Sequence, residues 1–273
     1  MISSKEEPYM FLSEKSDIDS KFLKRTVTVD CYLPTSIPDA GHLRLLLIND
    51  GQNMDELGLG EMLNENAASG KIGRDLIAVA IHAGDRMMEF GTARELDYLG
   101  RGYKATSYVD FILEELIPWL KETYQIQSFK DSAIAGFSLG GLSAMDIAWA
   151  FPGIFRLAGV FSGSLWWRSR GLEDGYLEET DRIMHAIVRE GNFVPGQKFY
   201  FQTGGLDETM DRNHNGIIDS IDDTLGLIGL LENKGYDRLL DIRYIEIEDG
   251  RHDIATWARA MPDFLCWAFP SQI

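Results

Sequence analysis

The feature of this 273-residue chain that most limits its fold is a series of short, unbroken apolar runs. LRLLLIND (43–50), DLIAVAIH (75–82) and SAIAGFS (132–138) place apolar side chains at successive positions rather than at alternate ones. Neighbouring side chains on a strand point to opposite faces, so such a run is stable as a strand only when both faces of its sheet are covered. LAGVFSGS (157–164), KFYFQTG (198–204) and LDIRYIEIE (240–248) read as further strands, and RTVTVDCYLP (25–34) alternates and stops at a proline. Helical spacing lies between them. It runs over 107–124 with Pro118 as a local irregularity, over 139–152 with a stop near Pro152, and over 253–269 with a break expected at Pro262. Alternating strands and helices without a linker or repeat predict the α/β class. The expected architecture is one domain over residues 1–273, a central, mostly parallel sheet flanked by helices on both faces.

Charge and composition exclude some functions. The formal net charge is −17, which argues against nucleic acid and anionic membranes, since both select clustered Lys and Arg. No apolar stretch is long enough to span a bilayer, and MISSKEEPYMFLSEKSD lacks the cationic start and apolar block of a secretion signal. A cytoplasmic protein is expected, with Cys31 and Cys266, each inside an apolar run, as buried free thiols.

The chemistry centres on IAGFSLGGLSA (134–144), which contains Gly136-x-Ser138-x-Gly140 between a predicted strand and a predicted helix. A serine on that strand–turn–helix reversal is held out at the carboxyl end of the sheet, and its neighbours two residues away on each side must be small. Ser138 is the expected nucleophile. A serine needs a base, and His252 lies in a glycine-containing loop between the last predicted strand and the last predicted helix. His185 falls inside an apolar helical stripe and reads as structural. The acid that orients the base is expected after FYFQTGG, where Asp207 is preferred and Glu208 is the alternative. One oxyanion donor is the backbone N–H of Leu139, and the second is expected from the turn after LLLIN, at Asp50-Gly51.

YLP (32–34), DGQN (50–53), GFSLGG (136–141), FPGIF (151–155), SGSLWW (162–167), GGLDET (204–209) and GRHDIATW (250–257) occur in that order across nearly the whole chain. Together they resemble the esterase family typified by enterochelin esterases, feruloyl and acetylxylan esterases and the antigen 85 mycolyltransferases. The resemblance implies an α/β-hydrolase fold and a serine hydrolase acting on acyl esters. The implied triad is Ser138, Asp207 and His252, and the implied second oxyanion donor is the N–H of Gln52. The S-formylglutathione hydrolase branch, with His before and Met after the serine, is disfavoured by Phe137 and Leu139.

Three further stretches stand out. Trp166 and Trp167 follow a strand expected beside Ser138, as substrate-pocket walls or as core. The long loop 82–105, with Arg86, Glu89, Arg94, Tyr98 and Arg101, reads as a solvated lid or an interface held by internal ion pairs. DRNHNGIIDSID (211–222) matches a twelve-residue calcium loop. Asp211, Asn213, Asn215, the Ile217 carbonyl, Asp219 and Asp222 stand at the ligand positions, with Gly216 at the sharp turn. A structural Ca2+ that pins the segment carrying the acid is expected, and no organic cofactor. The expected substrate is a small-molecule or glycan-linked ester. An acyltransferase using the same triad, or a non-catalytic carbohydrate-binding module on the same fold, would share these features.

Overall fold

The computed structural model describes residues 11–35 and 43–271; residues 1–10 of the segment read for a secretion signal lie outside it. Among the described residues eight strands form one sheet: β1 (Phe11–Ser20), β2 (Arg25–Pro34), β3 (Arg44–Asn49), β4 (Leu76–Ile81), β5 (Asp131–Phe137), β6 (Leu157–Phe161), β7 (Lys198–Leu206) and β8 (Ile242–Arg251). Their order is β1-β2-β4-β3-β5-β6-β7-β8. The β1–β2 and β2–β4 pairs are antiparallel, and the remaining pairs are parallel.

The unbroken apolar runs explain the layers. Leu45 and Leu47 of β3, with Ile77 and Val79 of β4, enter one core, while their neighbours Leu46, Ile48, Ala78 and Ala80 enter the other. Helix α1 (Leu59–Ala68) and the last helix, α6 (Ile254–Ala268), cover the second core. The first core is covered by α2 (105–123), α3 (Leu139–Ala150), α4 (Ile183–Glu190) and α5 (Asp219–Lys234). Both faces are therefore covered, as the sequence pattern requires.

The two prolines act differently. In α2 the segment Phe111–Leu116 is π-helical and ends just before Pro118. A proline inside a helix lacks the N–H and crowds the carbonyl four residues earlier, and a widened turn relieves both problems. Pro262 does not break α6, contrary to the sequence expectation. Met261, Phe264 and Leu265 around it are fully buried against the sheet, and this packing holds the helix together through the proline. Both cysteines are free; Cys31 is buried, but Cys266 is only half-buried, short of the burial expected for it. Among the described residues no helix is long and apolar enough to cross a membrane.

Candidate active site

β5 runs straight into the reversal at Ser138 and out into α3. Ser138 has φ 53° and ψ −119°, in a region that side chains rarely occupy. Its N–H donates to the Phe161 carbonyl at 2.8 Å, which ties the turn to β6. The flanking glycines are required by space. A Cβ at Gly136 would lie 2.3 Å from the Gly140 carbonyl oxygen, and one at Gly140 would lie 2.7 Å from an Asp50 carboxylate oxygen.

The turn after β3 is locked against this reversal. Asn49 Nδ2 donates to the Gly140 carbonyl at 2.7 Å, and Tyr108 donates its hydroxyl to Asn49 Oδ1 at 2.6 Å. Asp50, buried and with a left-handed φ of 64°, accepts two hydrogen bonds from Arg86, at 2.8 and 3.0 Å. The same guanidinium donates to the Phe137 carbonyl at 2.9 Å, so one side chain joins the turn to the residue before the serine. Gly51 admits no side chain, since a Cβ there would meet the Ala80 backbone at 2.7 Å. Among the described residues the N–H groups of Leu139 and Gln52 find no protein acceptor. The Gln52 side chain is engaged elsewhere, accepting from the Ala83 N–H at 3.1 Å.

Ser138, His252, Asp207, Glu208, Trp166 and Ser220 border one cavity of about 260 Å3 at the carboxyl end of the sheet. Loops after β5, β6, β7 and β8 thus meet at one point. The Ser138 hydroxyl lies 3.3 Å from that of Ser164, whose backbone N–H also donates to the Ser138 carbonyl at 3.0 Å. The His252 ring meets Trp257 edge to face with centroids 5.4 Å apart, and the Trp257 indole donates to Ser162 Oγ at 3.0 Å. Asp253 caps α6 by accepting from the Thr256 N–H at 2.9 Å, which fixes where the chain turns after His252.

The ionisation of the pair follows from burial. Burial pushes the His252 imidazole below its ordinary value; the nearby Asp207 carboxylate pulls it back up, and Arg86 pushes it further down. Burial raises the Asp207 carboxyl, against the Gly204 N–H, the Ser162 hydroxyl and His252. The Gly204 N–H donates to Asp207 Oδ2 at 3.0 Å, while the buried Oδ1 has no hydrogen-bond partner. Such an arrangement leaves a neutral imidazole beside an acceptor with spare capacity.

The other candidates separate. Trp166 borders the cavity, whereas Trp167 is fully buried and belongs to the core. Its indole slots against Gly91 and Gly102, where an added Cβ would lie 3.0 and 3.2 Å from it. Loop 82–105 is held by charge pairs: Arg25 on the buried Glu89 at 2.7 Å, Arg86 on Asp50, and Arg101 on Asp97. His185 is buried in α4, its Nε2 2.8 Å from the Asp223 carbonyl oxygen.

In the 211–222 loop, Asp211 accepts from the N–H groups of Asn215 and Gly216 at 3.1 and 2.9 Å. The amides of Asn213 and Asn215 each donate to Asp222 at 3.0 Å. Asp211, Asn213, Asn215 and Asp222 therefore converge. Asp219 departs from the expected ligand set: it accepts from the Arg212 N–H at 2.9 Å and pairs with its guanidinium at 3.2 Å. The reason is positional, since Asp219 opens α5 and Arg212 is anchored by Asp223. Among the described residues no group of three or more His, Cys, Asp or Glu side chains is arranged to hold a metal; two of the four converging donors are asparagines.

Sequence reasoning missed Ser162, Ser164 and the Asp50–Arg86 pair. The SGS triplet directly after a strand beside the elbow was the available signal for the two serines; Asp50–Arg86 is a contact 36 residues apart that no local pattern announces.

The family model described as "Putative esterase" matches residues 20–268. The uncharacterized protein YjcH of Bacillus subtilis (strain 168) is 24% identical over 242 residues, 87% of this chain and 89% of its own. Among solved structures, a ferulic acid esterase superposes with a TM-score of 0.69 at 17% identity, covering 96% of this chain and 98% of its own. The enterobactin esterase of Shigella flexneri, in a structure determined with enterobactin, gives 0.70 at 18% identity; the match covers 93% of this chain and 58% of that longer one. These structural likenesses show a shared fold, of the α/β-hydrolase type. With its elbow serine at the carboxyl end of a mostly parallel sheet and a family match over nearly its whole length, the chain belongs to the esterase family of carboxylic ester hydrolases.

Proposed function

We propose that the protein is a serine carboxylesterase working through Ser138, His252 and Asp207. The observation that carries this reading is the strained elbow serine bordering one small cavity with a solvent-reaching histidine, whose imidazole is held below its ordinary value, and a carboxylate. Ser138 Oγ attacks the ester carbonyl as His252 takes its proton, and Asp207 orients the imidazole and offsets its positive charge. Asp207 is favoured over Glu208 because it, and not Glu208, acts on the ionisation of His252. The N–H groups of Leu139 and Gln52 receive the oxyanion. His252 then protonates the departing alcohol, and water releases the acid from Ser138 by the same route in reverse.

The direct test is a fluorophosphonate followed by intact-mass measurement and peptide mapping. One adduct on Ser138 is expected, and folded protein that takes up none would overturn the reading. For the 211–222 loop we propose a structural Ca2+ held by Asp211, Asn213, Asn215, Asp222 and the Ile217 carbonyl, without Asp219. Hard oxygen donors at this spacing suit that ion. It takes no part in the ester chemistry, for which the chain's own residues suffice.

A further inference from the structure

We infer that Glu208 and Ser220 form a recognition corner of the catalytic cavity that selects esters carrying an ammonium group close to the scissile bond. The inference rests on the serine-esterase reading and adds the substrate class to it.

Glu208 borders the same cavity as Ser138 and His252, yet the hydrolytic steps leave it unused. Ser220 borders it too. Ser220 is only 8% exposed, and its hydroxyl has no hydrogen-bond partner. A buried hydroxyl without a partner, opening on a substrate cavity, marks a place where a ligand group completes the bonding.

The sign of the charge at this corner follows from its surroundings. Burial is the main reason that the Glu208 carboxyl is raised, with Asp219, Asp223 and Asp207 adding to it; the Ser220 N–H pulls the other way. The guanidiniums beside Asp219 and Asp223 are committed. Arg212 pairs with Glu178, Asp219 and Asp223, and Arg182 pairs with Glu178 and Asp223. A carboxylate among carboxylates, half withdrawn from water, favours a cation and repels an anion. The Trp166 ring already has Arg101 at 5.4 Å and Arg168 at 6.0 Å, so the incoming cation is received at Glu208 and not on the indole. A polar site of this kind discriminates against an apolar isostere because the isostere leaves its polar groups unpaired.

The experiment compares matched ester pairs in the wild type, Glu208→Gln and Ser220→Ala. One pair carries the cation on the alcohol side: dimethylaminoethyl thioacetate, whose protonated amine keeps an N–H to donate, and its uncharged isostere, isoamyl thioacetate. The other carries it on the acyl side: the umbelliferyl esters of dimethylglycine and of isovaleric acid. The readout is the ratio of kcat/KM, cationic over neutral, so the intrinsic reactivity of each ester cancels between enzymes. Glu208→Gln is expected to lower that ratio about tenfold or more for the pair whose cation reaches the corner, mainly through KM. Ser220→Ala is expected to lower it about threefold and serves if the first variant does not fold. Gln keeps an acceptor for the Ser220 N–H, so a purely structural role for Glu208 would leave the ratio in place. Ratios that move less than about twofold in both pairs overturn the proposal. If the wild type hydrolyses none of the four esters and Ser138 takes no fluorophosphonate, the serine-esterase reading itself fails and takes this inference with it.

Discussion

Ser138 holds its backbone in a region that is costly for any residue with a side chain, and Gly136 and Gly140 are what make room for it. Gly136→Ala would press a methyl 2.3 Å from the Gly140 carbonyl oxygen. The backbone must shift, so a loss of about 1–3 kcal/mol is expected, together with slowed fluorophosphonate labelling. Denaturant midpoints and labelling rates check both. In the proposed mechanism the pH dependence of catalysis is set at His252, which must be neutral to act as the base. Because burial holds it below the ordinary 6.5, kcat/KM should fall on acidification only below that pH. Asp207→Asn removes the anion that pulls the histidine up, so the acid limb should move to still lower pH while the rate drops by about 10⁴. An acid limb that moves upward in the pH–rate profile of this variant would contradict the pairing. At this scale the elbow and His252 were legible in the sequence, because each sits beside a strand end that local pattern reveals. The burial of Trp167 and the diversion of Asp219 were not legible, since both depend on partners from distant segments: Gly91 and Gly102 for the indole, and Arg212 anchored by Asp223 for the carboxylate.

Between elements, the clearest electrostatic feature is the docking of loop 82–105 on α3. The Ala93 N–H donates to Asp146 Oδ2 at 2.9 Å, and Ser143 Oγ bonds both the N–H and the carbonyl of Gly91, at 2.8 and 3.1 Å. Burial pushes the Asp146 carboxyl up from 3.8 to about 6, against the Ala93 N–H and the Arg94 charge. A folded value above the unfolded one means that the folded state holds the proton more tightly. This group's contribution is therefore fully present below about pH 4 and is lost as pH rises through about 6. Asp146→Asn keeps an acceptor without the charge, so it should be more stable than the wild type at pH 7, by on the order of 1–2 kcal/mol, and no more stable at pH 4. Urea melts at the two pH values test the sign. The strands β3 to β7 were legible because burial on both faces writes an unbroken apolar run. β1 was not, since FLSEKSDIDS is an edge strand with most side chains exposed and little apolar pattern to show. The π turn in α2 was visible only as a proline in the wrong place.

Across the whole molecule the two cores share every central strand, so neither layer can come apart alone. One calorimetric transition is expected, and its midpoint should rise with added Ca2+ and fall with a chelator; an unmoved midpoint and no heat of binding in titration would remove the ion from the account. The segment from the end of β7 into the first turn of α5 gathers Asp207, the proposed acid, Glu208 and Ser220 of the cavity, and the 211–222 loop within sixteen consecutive residues, 207–222. In evolutionary terms this is a linked cassette. On the proposed roles, exchanging that segment between relatives would transfer substrate preference, acid and ion dependence together, whereas Ser138 and His252, carried by other loops, would stay with the host. On the proposed roles, a single substitution at Glu208 can shift what the enzyme prefers, whereas replacing the whole stretch must rebuild the acid at the same time.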